Sequence, residues 1–388
     1  ERLLALRRYK NLEVLRIGMN DINGALRSEE TTEQLTLLAE VCLGKVYDLV
    51  CEAVAGRFGP PRFRVGAGGE VRAGSLAILA LGRLGQGELS YSSDLDLIFL
   101  YDLGEEVPEA EGGCARLSPH AYFTKIAQRM ISALSLPSEE GFLYRIDTRL
   151  RPSGNAGPLV TSREAFLAYH TQGQARVAQN WEKLALLKAR AVAGDRRLGA
   201  RIVSIVQETL YGMNPDATVL SDLEAMRSRI EKELAREDRS RYNVKTGRGG
   251  LVDIEFMVQM LQRSQGGRYA ALRTTSIREA LRHLSETKYF SSTDQRFLEE
   301  AYDFLRRLEH ALRIVHDRPI DDLTCLADNL DQIAARMGYR GSRKEGGGSA
   351  LLARYREVTH GVRRCYEATL RKLRNDLPRG VEEQGMGA

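Results

Sequence analysis

LALGRLGQGELSYSSDLDLIFLY, residues 79–101, sets a glycine-rich turn ahead of two aspartates spaced two apart on an apolar run. Side chains alternate between the faces of an extended strand, so Asp94 and Asp96 share one face while Leu95 and Leu97 enter a core on the other. Neighbouring carboxylates repel unless a cation lies between them. Hard divalent cations such as Mg²⁺ are commonly held by one or two carboxylates together with phosphate oxygens. Upstream, Ser75 to Leu81 (SLAILAL) predicts a buried strand. Gly82, Gly85 and Gly87 then let the backbone turn tightly and approach a ligand, its amides cradling phosphate oxygens. Ser92 and Ser93 add hydroxyls that donate to the same oxygens or fix the turn. Either half of this pattern alone also describes a calcium loop, a cap or a solvated strand edge. Together they point to a nucleoside triphosphate placed for attack at phosphorus.

A two-metal site needs a third carboxylate, and FLYRIDTRLRP, residues 142–152, offers one. On a strand over 143–150, Phe142, Tyr144 and Ile146 form one face and Arg145, Asp147 and Arg149 the other. Placed beside Asp94 and Asp96, Asp147 would complete a trio around two cations about 3.5 to 4 Å apart. Asp94, Asp96 and Asp147 are therefore the expected catalytic and metal-binding residues, with Arg149 and Arg151 clamping phosphate oxygens. The plainer reading of an aspartate among arginines is an exposed salt-bridge ladder of little energetic weight. Pro152, Gly154 and Gly157 mark a loop.

The chain has 388 residues, 43% of them hydrophobic, enough for a substantial core and for two or three structural units. A net charge of +5 from 57 basic and 52 acidic residues is mild, and the two signs are interspersed, which argues against an extended nucleic-acid face. Cys42, Cys51, Cys114, Cys325 and Cys365 are odd in number and scattered without metal-type spacing, as expected in a reducing cytoplasm. No apolar run approaches the roughly 20 residues of a membrane span, and no signal peptide is visible. The chain opens at Glu1 rather than methionine, as expected of a piece of something longer.

Three zones follow from the pattern: residues 1–58 helical, 59–200 mixed, and 201–388 a helical bundle with breaks at Gly212 to Pro215, Gly247 to Gly250, Gly266 to Gly267, Pro319 and Gly341 to Gly348. Thr31 or Thr32 opens an amphipathic stretch carrying Leu35, Leu38, Val41, Cys42 and Leu49. Gly59 to Gly74 reads as a connector. Strands are expected at 75–81, 95–101 and 143–150. Ser118 and Pro119 begin a helix whose inner face is Phe123, Ile126, Met130 and Leu134. Thr161 and Glu164 form a capping box. A helix from about Gln174 to Ala193, ended by Gly194, would place Trp181 and Lys188 on one face, with Lys188 either solvated or on phosphate. Lys245 and Arg248 sit in a glycine turn leading into a helix whose N-terminus could face an anion. Asp253 and Glu255 read as first-turn charges complementing the helix dipole, with Asp253 kept as a secondary site candidate beside Lys245 on the family resemblance described below. The histidines, including His310 and His316, show no metal-ligand clustering.

The blocks GRLGQGELSYSSDLDLIFLYD, LYRIDTRLRPSGNAGPLVTSREAFLAY, WEKLALLKARAVAGD and KTGRGGLVDIEFMVQ, in this order, resemble the signature motifs of the glutamine synthetase adenylyltransferases, members of the polymerase-β-like nucleotidyltransferases. The resemblance runs from the first helix to about Gln262. It implies an α+β fold: a small mixed sheet with helices, flanked by N-terminal helices and a C-terminal bundle. It also implies that AMP passes from ATP to a tyrosine of glutamine synthetase, with Mg²⁺ or Mn²⁺, and that the PII signalling protein and glutamine act as regulators. No nucleic-acid or membrane partner is implied. Gly82, Gly85, Ser92, Ser93, Arg149, Arg151, Lys188 and Lys245 become the expected nucleotide-binding residues, with the Lys245 turn closing over the cleft. Family members carry two such halves, one attaching AMP and one removing it by phosphorolysis. RPSG at 151–154 and DIEF at 253–256 resemble the attaching half, whereas the removing half more often reads RPFG. Arg83 stands where lysine is frequent, and Glu182-Lys183-Leu184 where a histidine-containing version is common. The competing readings are the removing half, a nucleotidyltransferase acting on RNA with salt-sensitive binding, and a helical interaction module whose site has decayed.

Overall fold

The computed structural model describes residues 1–64, 71–103, 117–171, 178–212, 217–238, 240–316, 318–325, 327–339 and 346–376. Cys114, the centre of the connector expected before Gly74, the start of the helix expected from Gln174, and most of the breaks at 212–215 and 341–348 lie outside these residues. The chain divides into two units, one of Glu1–Leu210, Thr274–Ile277 and His310–Ile320, the other of Tyr211–Arg273, Arg278–Glu309 and Asp321–Ala388.

The first unit opens with α1 (Arg2–Ile22) and α2 (Ser28–Phe58), followed by the short pair β1 (Arg62–Arg64) and β2 (Val71–Ala73). Next come β3 (Ser75–Ala80), α3 (Gly82–Gln86), β4 (Leu95–Asp102) and α4 (Pro119–Ser135). Then follow β5 (Ile146–Asp147), β6 (Val160–Ser162), α5 (Arg163–Thr171), α6 (Asn180–Leu186), β7 (Arg190–Gly194) and α7 (Arg196–Gly212). A five-stranded mixed sheet runs β5-β4-β3-β7, with β6 also on β4. β3 is antiparallel to β4 and β7, while β5 and β6 join β4 in parallel. This is the α+β architecture expected from the sequence.

β4 shows why the motif lands where it does. Leu95 and Leu97 are buried with Asp96 half-exposed between them, as strand alternation requires, but Ile98, Phe99 and Leu100 are all buried. The strand is thus covered on both faces except at its first turn of pleat, where the carboxylate emerges. α4 covers the sheet as its periodicity predicts. Ser118 Oγ accepts from the Ala121 amide at 3.3 Å, Pro119 opens the helix, and Phe123, Ile126, Met130 and Leu134 are buried with Leu38, Cys42 and Val46 of α2 in one core. Burying each such side chain is worth about 1.5–3 kcal/mol.

Several local expectations are corrected. The strand expected over 143–150 contracts to Ile146–Asp147, because the Leu143 and Tyr144 amides bond to Leu134 O at 2.9 and 3.1 Å, at the end of α4, instead of to a strand. The cap of α5 is Ser162, whose Oγ accepts from the Ala165 amide at 3.2 Å, while Thr161 lies buried in β6. The helix expected up to Ala193 ends at Leu186, and Arg190–Gly194 is an edge strand on β3. A short apolar run does not distinguish the two by periodicity alone. Trp181 and Lys188 therefore share no helix face, and Trp181 is 38% exposed. α2 begins at Ser28, with the Arg27 amide bonded to Glu30 Oε2 at 2.7 Å; Thr31 and Thr32 lie within its buried face, and Val41 points outward.

The second unit contains α8 (Ala217–Ile230), β8 (Arg241–Asn243), α9 (Leu251–Gln265), most of α10 (Ile277–Arg282), and α11 (Ser292–His316) up to Glu309. It continues through β9 (Asp322–Thr324), antiparallel to β8, then α12 (Ala327–Arg336) and α13 (Gly347–Asn375). No helix among the described residues is long and apolar enough to cross a membrane.

Candidate functional site

The parallel ladder between β4 and β5 sets Asp96 opposite Asp147. Directly paired residues on adjacent strands project to one face, about 4.5–5.5 Å apart at Cβ. The ladder is closed at its start by the Leu95 amide on Arg145 O at 2.9 Å. Asp94, two residues before Asp96, is exposed at the mouth of this face.

Arg149 supplies the positive charge among these acids. It grips Asp147 with its backbone amide at 2.8 Å and its guanidinium Nε at 2.8 Å to Oδ2. Burial alone would push the Asp147 carboxyl up, but the hydrogen bonds and charge of Arg149, helped by the charge of Arg151, hold it below the usual carboxylate range. The Arg149 guanidinium is in turn held above its ordinary value, first by Asp147 and then by the fields of Asp96 and Asp94. Arg149 therefore responds to all three carboxylates. Among the described residues no group of three or more histidine, cysteine or carboxylate side chains is placed to hold a metal as the side chains stand. Arg149 occupies both Asp147 oxygens.

Gly82 makes room for this face. Its φ is +53°, and a Cβ there would lie 2.0 Å from Asp96 Oδ2. Only glycine tolerates both the left-handed backbone and the approach. The donor set consists of hard carboxylate oxygens, which suits a hard divalent ion once Arg149 has left Asp147.

The other expected residues divide. Gly85 faces backbone, its Cβ position 2.1 Å from Lys188 O and 2.8 Å from Ala80 O, so it allows α3 to pack on β3 and the 187–189 turn. Lys188 is half-buried in that turn, next to Gly85 through its carbonyl. Ser92 is exposed in a left-handed conformation (φ +53°) that turns the chain ahead of Asp94. Ser93 Oγ accepts from the Ser90 amide at 3.3 Å. Arg151 is buried and spends its guanidinium on the loop that follows, donating to Thr148 O at 2.7 Å and Pro158 O at 3.1 Å. Its hydrogen bonds are those of a loop anchor whose charge reaches Asp147.

Lys245 lies in the second unit, in a turn whose Asn243 Oδ1 accepts the Lys245 amide at 3.1 Å. Asp253 sits in the first turn of α9, as expected of a charge complementing the helix dipole. It is fully buried, paired with Arg227, and it accepts from the Gly249 amide at 2.8 Å and from Arg363 at 3.3 Å.

Sequence reasoning missed Arg313. This buried side chain donates to Tyr91 O at 3.0 Å and to Ser93 Oγ at 3.1 Å, so it fixes the loop leading into Asp94 from 220 residues further along the chain. Its only signal is an arginine on the apolar side of α11.

Residues 1–205 match the family model described as Glutamate-ammonia ligase adenylyltransferase, and residues 224–370 match that described as GlnD PII-uridylyltransferase. The chain is 35% identical over 340 residues to the bifunctional glutamine synthetase adenylyltransferase/adenylyl-removing enzyme of Nitrosococcus oceani, covering 88% of this chain and 34% of that protein. The enzyme of the same description from Hahella chejuensis is 34% identical over 339 residues, 87% of this chain and 34% of the relative. That of Thioalkalivibrio sulfidiphilus is 33% identical over 383 residues, 99% of this chain and 37% of the relative. The chain thus spans about a third of the length of the curated relatives it matches. Since the first model takes in more than half of its residues, the chain belongs to the glutamate-ammonia ligase adenylyltransferase family.

Proposed function

We propose that this chain transfers AMP from ATP to a tyrosine of glutamine synthetase, releasing pyrophosphate. The observation that carries the reading is the register of Asp96 on Asp147, with Arg149 bonded to Asp147 and within the fields of Asp96 and Asp94. In this reading the phenol oxygen bonds to the α-phosphorus, the bond from that phosphorus to the bridging oxygen breaks, and pyrophosphate leaves with the electron pair. The phenol proton passes to solvent. Mg²⁺ or Mn²⁺, held by Asp94, Asp96 and Asp147, would neutralise charge on the phosphates and lower the pKa of the attacking hydroxyl. Arg149, largely exposed beyond its contact with Asp147, would be available to the triphosphate oxygens if Asp147 were given over to a metal ion. Positioning and charge neutralisation account for most of the acceleration in such transfers.

The attaching direction is favoured over removal by RPSG at 151–154 and DIEF at 253–256. Regulation by glutamine and the PII signalling protein, and a cytoplasmic location, belong to the same reading and rest on the family resemblance alone.

The test incubates the purified chain with unmodified glutamine synthetase, Mg²⁺ and ATP labelled at the α-phosphate. Label on the synthetase, lost at least a hundredfold in Asp94→Asn/Asp96→Asn, is the expected outcome, on the scale of removing a positioned charge. Absence of label, together with release of ADP from modified synthetase and inorganic phosphate, would reassign the chain to the removing half.

A further inference from the structure

A cavity of about 600 Å³ opens beside the carboxylate face, wholly within the first unit, and reaches Asp94 and Ser93. Its apolar wall comes from α1 and from the segments on either side of the site, with Val14, Met19 and Leu143 among its lining. Cations line it as well: Lys10, Arg145, Arg313 and Arg318. Among its described lining residues the one carboxylate is Asp94. Arg145 and Arg318 are exposed, whereas Arg313 is buried. The adjoining surface of α1 leaves Leu15, Met19 and Ile22 each more than half exposed.

We infer that this cavity receives the acceptor: an acidic peptide segment of the protein substrate, inserted by its tyrosine side chain. The inference rests on the reading of the site as an AMP transferase and deepens it. An apolar hole that reaches one carboxylate of a phosphoryl-transfer site suits an aromatic ring whose hydroxyl points at Asp94. A mouth whose described charged groups are cations apart from Asp94 suits carboxylates on the residues flanking that ring and disfavours lysine-rich partners. Adenine, which is neutral, gains nothing from those cations.

Gly18 offers a clean test, because it lines the cavity and a Cβ at its position meets nothing within 4 Å. Gly18→Trp puts an indole into the hole at a helical position where any larger residue favours the helix. The expected result is a KM for glutamine synthetase raised tenfold or more, a KM for ATP changed less than twofold, and an unchanged melting temperature. A second probe is a dodecapeptide with one tyrosine among aspartates and glutamates, compared with its lysine-flanked counterpart. The acidic peptide should compete with the synthetase for label at a tenfold lower concentration than the basic one, and Arg318→Glu should narrow that gap to threefold or less.

Equal competition by both peptides, a synthetase KM within twofold of wild type in Gly18→Trp, or a rise confined to the KM for ATP would each overturn the inference. If the wild-type chain labels no synthetase, the transferase reading itself fails. Fluorescence anisotropy of the labelled acidic peptide with wild type and Gly18→Trp then still decides the cavity: binding that the indole abolishes keeps it as an acidic-peptide site, and its absence removes it.

Discussion

Replacing Gly82 with alanine tests whether the Asp96 carboxylate does the chemistry. Two effects follow from the substitution. First, a non-glycine residue at φ +53° costs about 1–2 kcal/mol of backbone strain. Second, the new methyl lies 2.0 Å from Asp96 Oδ2, where ordinary contact begins at 3.4 Å, so the carboxylate must retreat by the difference, about 1.4 Å. Displacements near 1 Å at a reacting centre cost on the order of a hundredfold in rate. Gly87 separates the two effects: its φ is +76°, but a Cβ there meets nothing within 4 Å. Both variants should melt a few degrees lower, at roughly 2–4 °C per kcal/mol for a unit of this size. Label transfer should fall about a hundredfold in Gly82→Ala and stay within threefold in Gly87→Ala. Equal activity in the two variants, or a Gly82→Ala enzyme within threefold of wild type, would refute the role given to Asp96.

Three further outcomes can be measured by denaturation. Burial pushes the His170 imidazole, tilted at 57° to the Phe166 ring, down to about 3, so it stays neutral in the fold while the unfolded chain takes up its proton below about pH 6.5. Its folded pKa being the lower one, stability is intact above 6.5 and falls with pH below it, by roughly 2 kcal/mol at pH 5; in His170→Phe that pH dependence should vanish from the urea midpoints. Asp253→Asn removes the fully buried carboxylate on Arg227, leaving that guanidinium with Glu231 at 3.5 Å, and should cost about 3–5 kcal/mol, whereas the double variant Asp253→Leu/Arg227→Met should recover most of that loss in guanidinium titrations. Ser162→Ala should cost about 1 kcal/mol as a lost helix cap, while Thr161→Val, which removes a buried hydroxyl with no hydrogen-bond partner, should be neutral or stabilising.

The parts legible in the sequence are those whose signal is local. β3, the start of β4 and α4 each announce themselves within a few residues, through an apolar run, an Asp-x-Asp alternation and a Ser-Pro cap. Arg190–Gly194 does not, since AVA flanked by arginine and glycine suits a helix end as well as an edge strand, and only the neighbouring β3 decides. Strand length at 143–150 was hidden for the same reason: the partner that shortens it is a carbonyl at the end of α4. For the candidate site, the shared strand register of two of its acids was legible and the partners of its arginines were not. Asp147 and Arg149 were named as a carboxylate and a clamp, but their mutual pairing comes from the turn after β5. Arg151 looks like a ligand from its neighbours and acts as a loop anchor because Thr148, Gly157 and Pro158 present carbonyls to it. Arg313 was beyond reach, because no local pattern links α11 to the loop at Tyr91.

That long-range tie bears on how the unit carrying the three aspartates can be inherited or moved. The unit that holds Asp94, Asp96 and Asp147 is completed by Thr274–Ile277 and His310–Ile320, so no uninterrupted gene segment ending near residue 210 encodes all of it. A truncation there would keep every acid of the motif and discard the guanidinium that anchors Tyr91 and Ser93. Recombination or domain grafting must therefore carry the later helices along, which couples the divergence of two stretches far apart in the open reading frame.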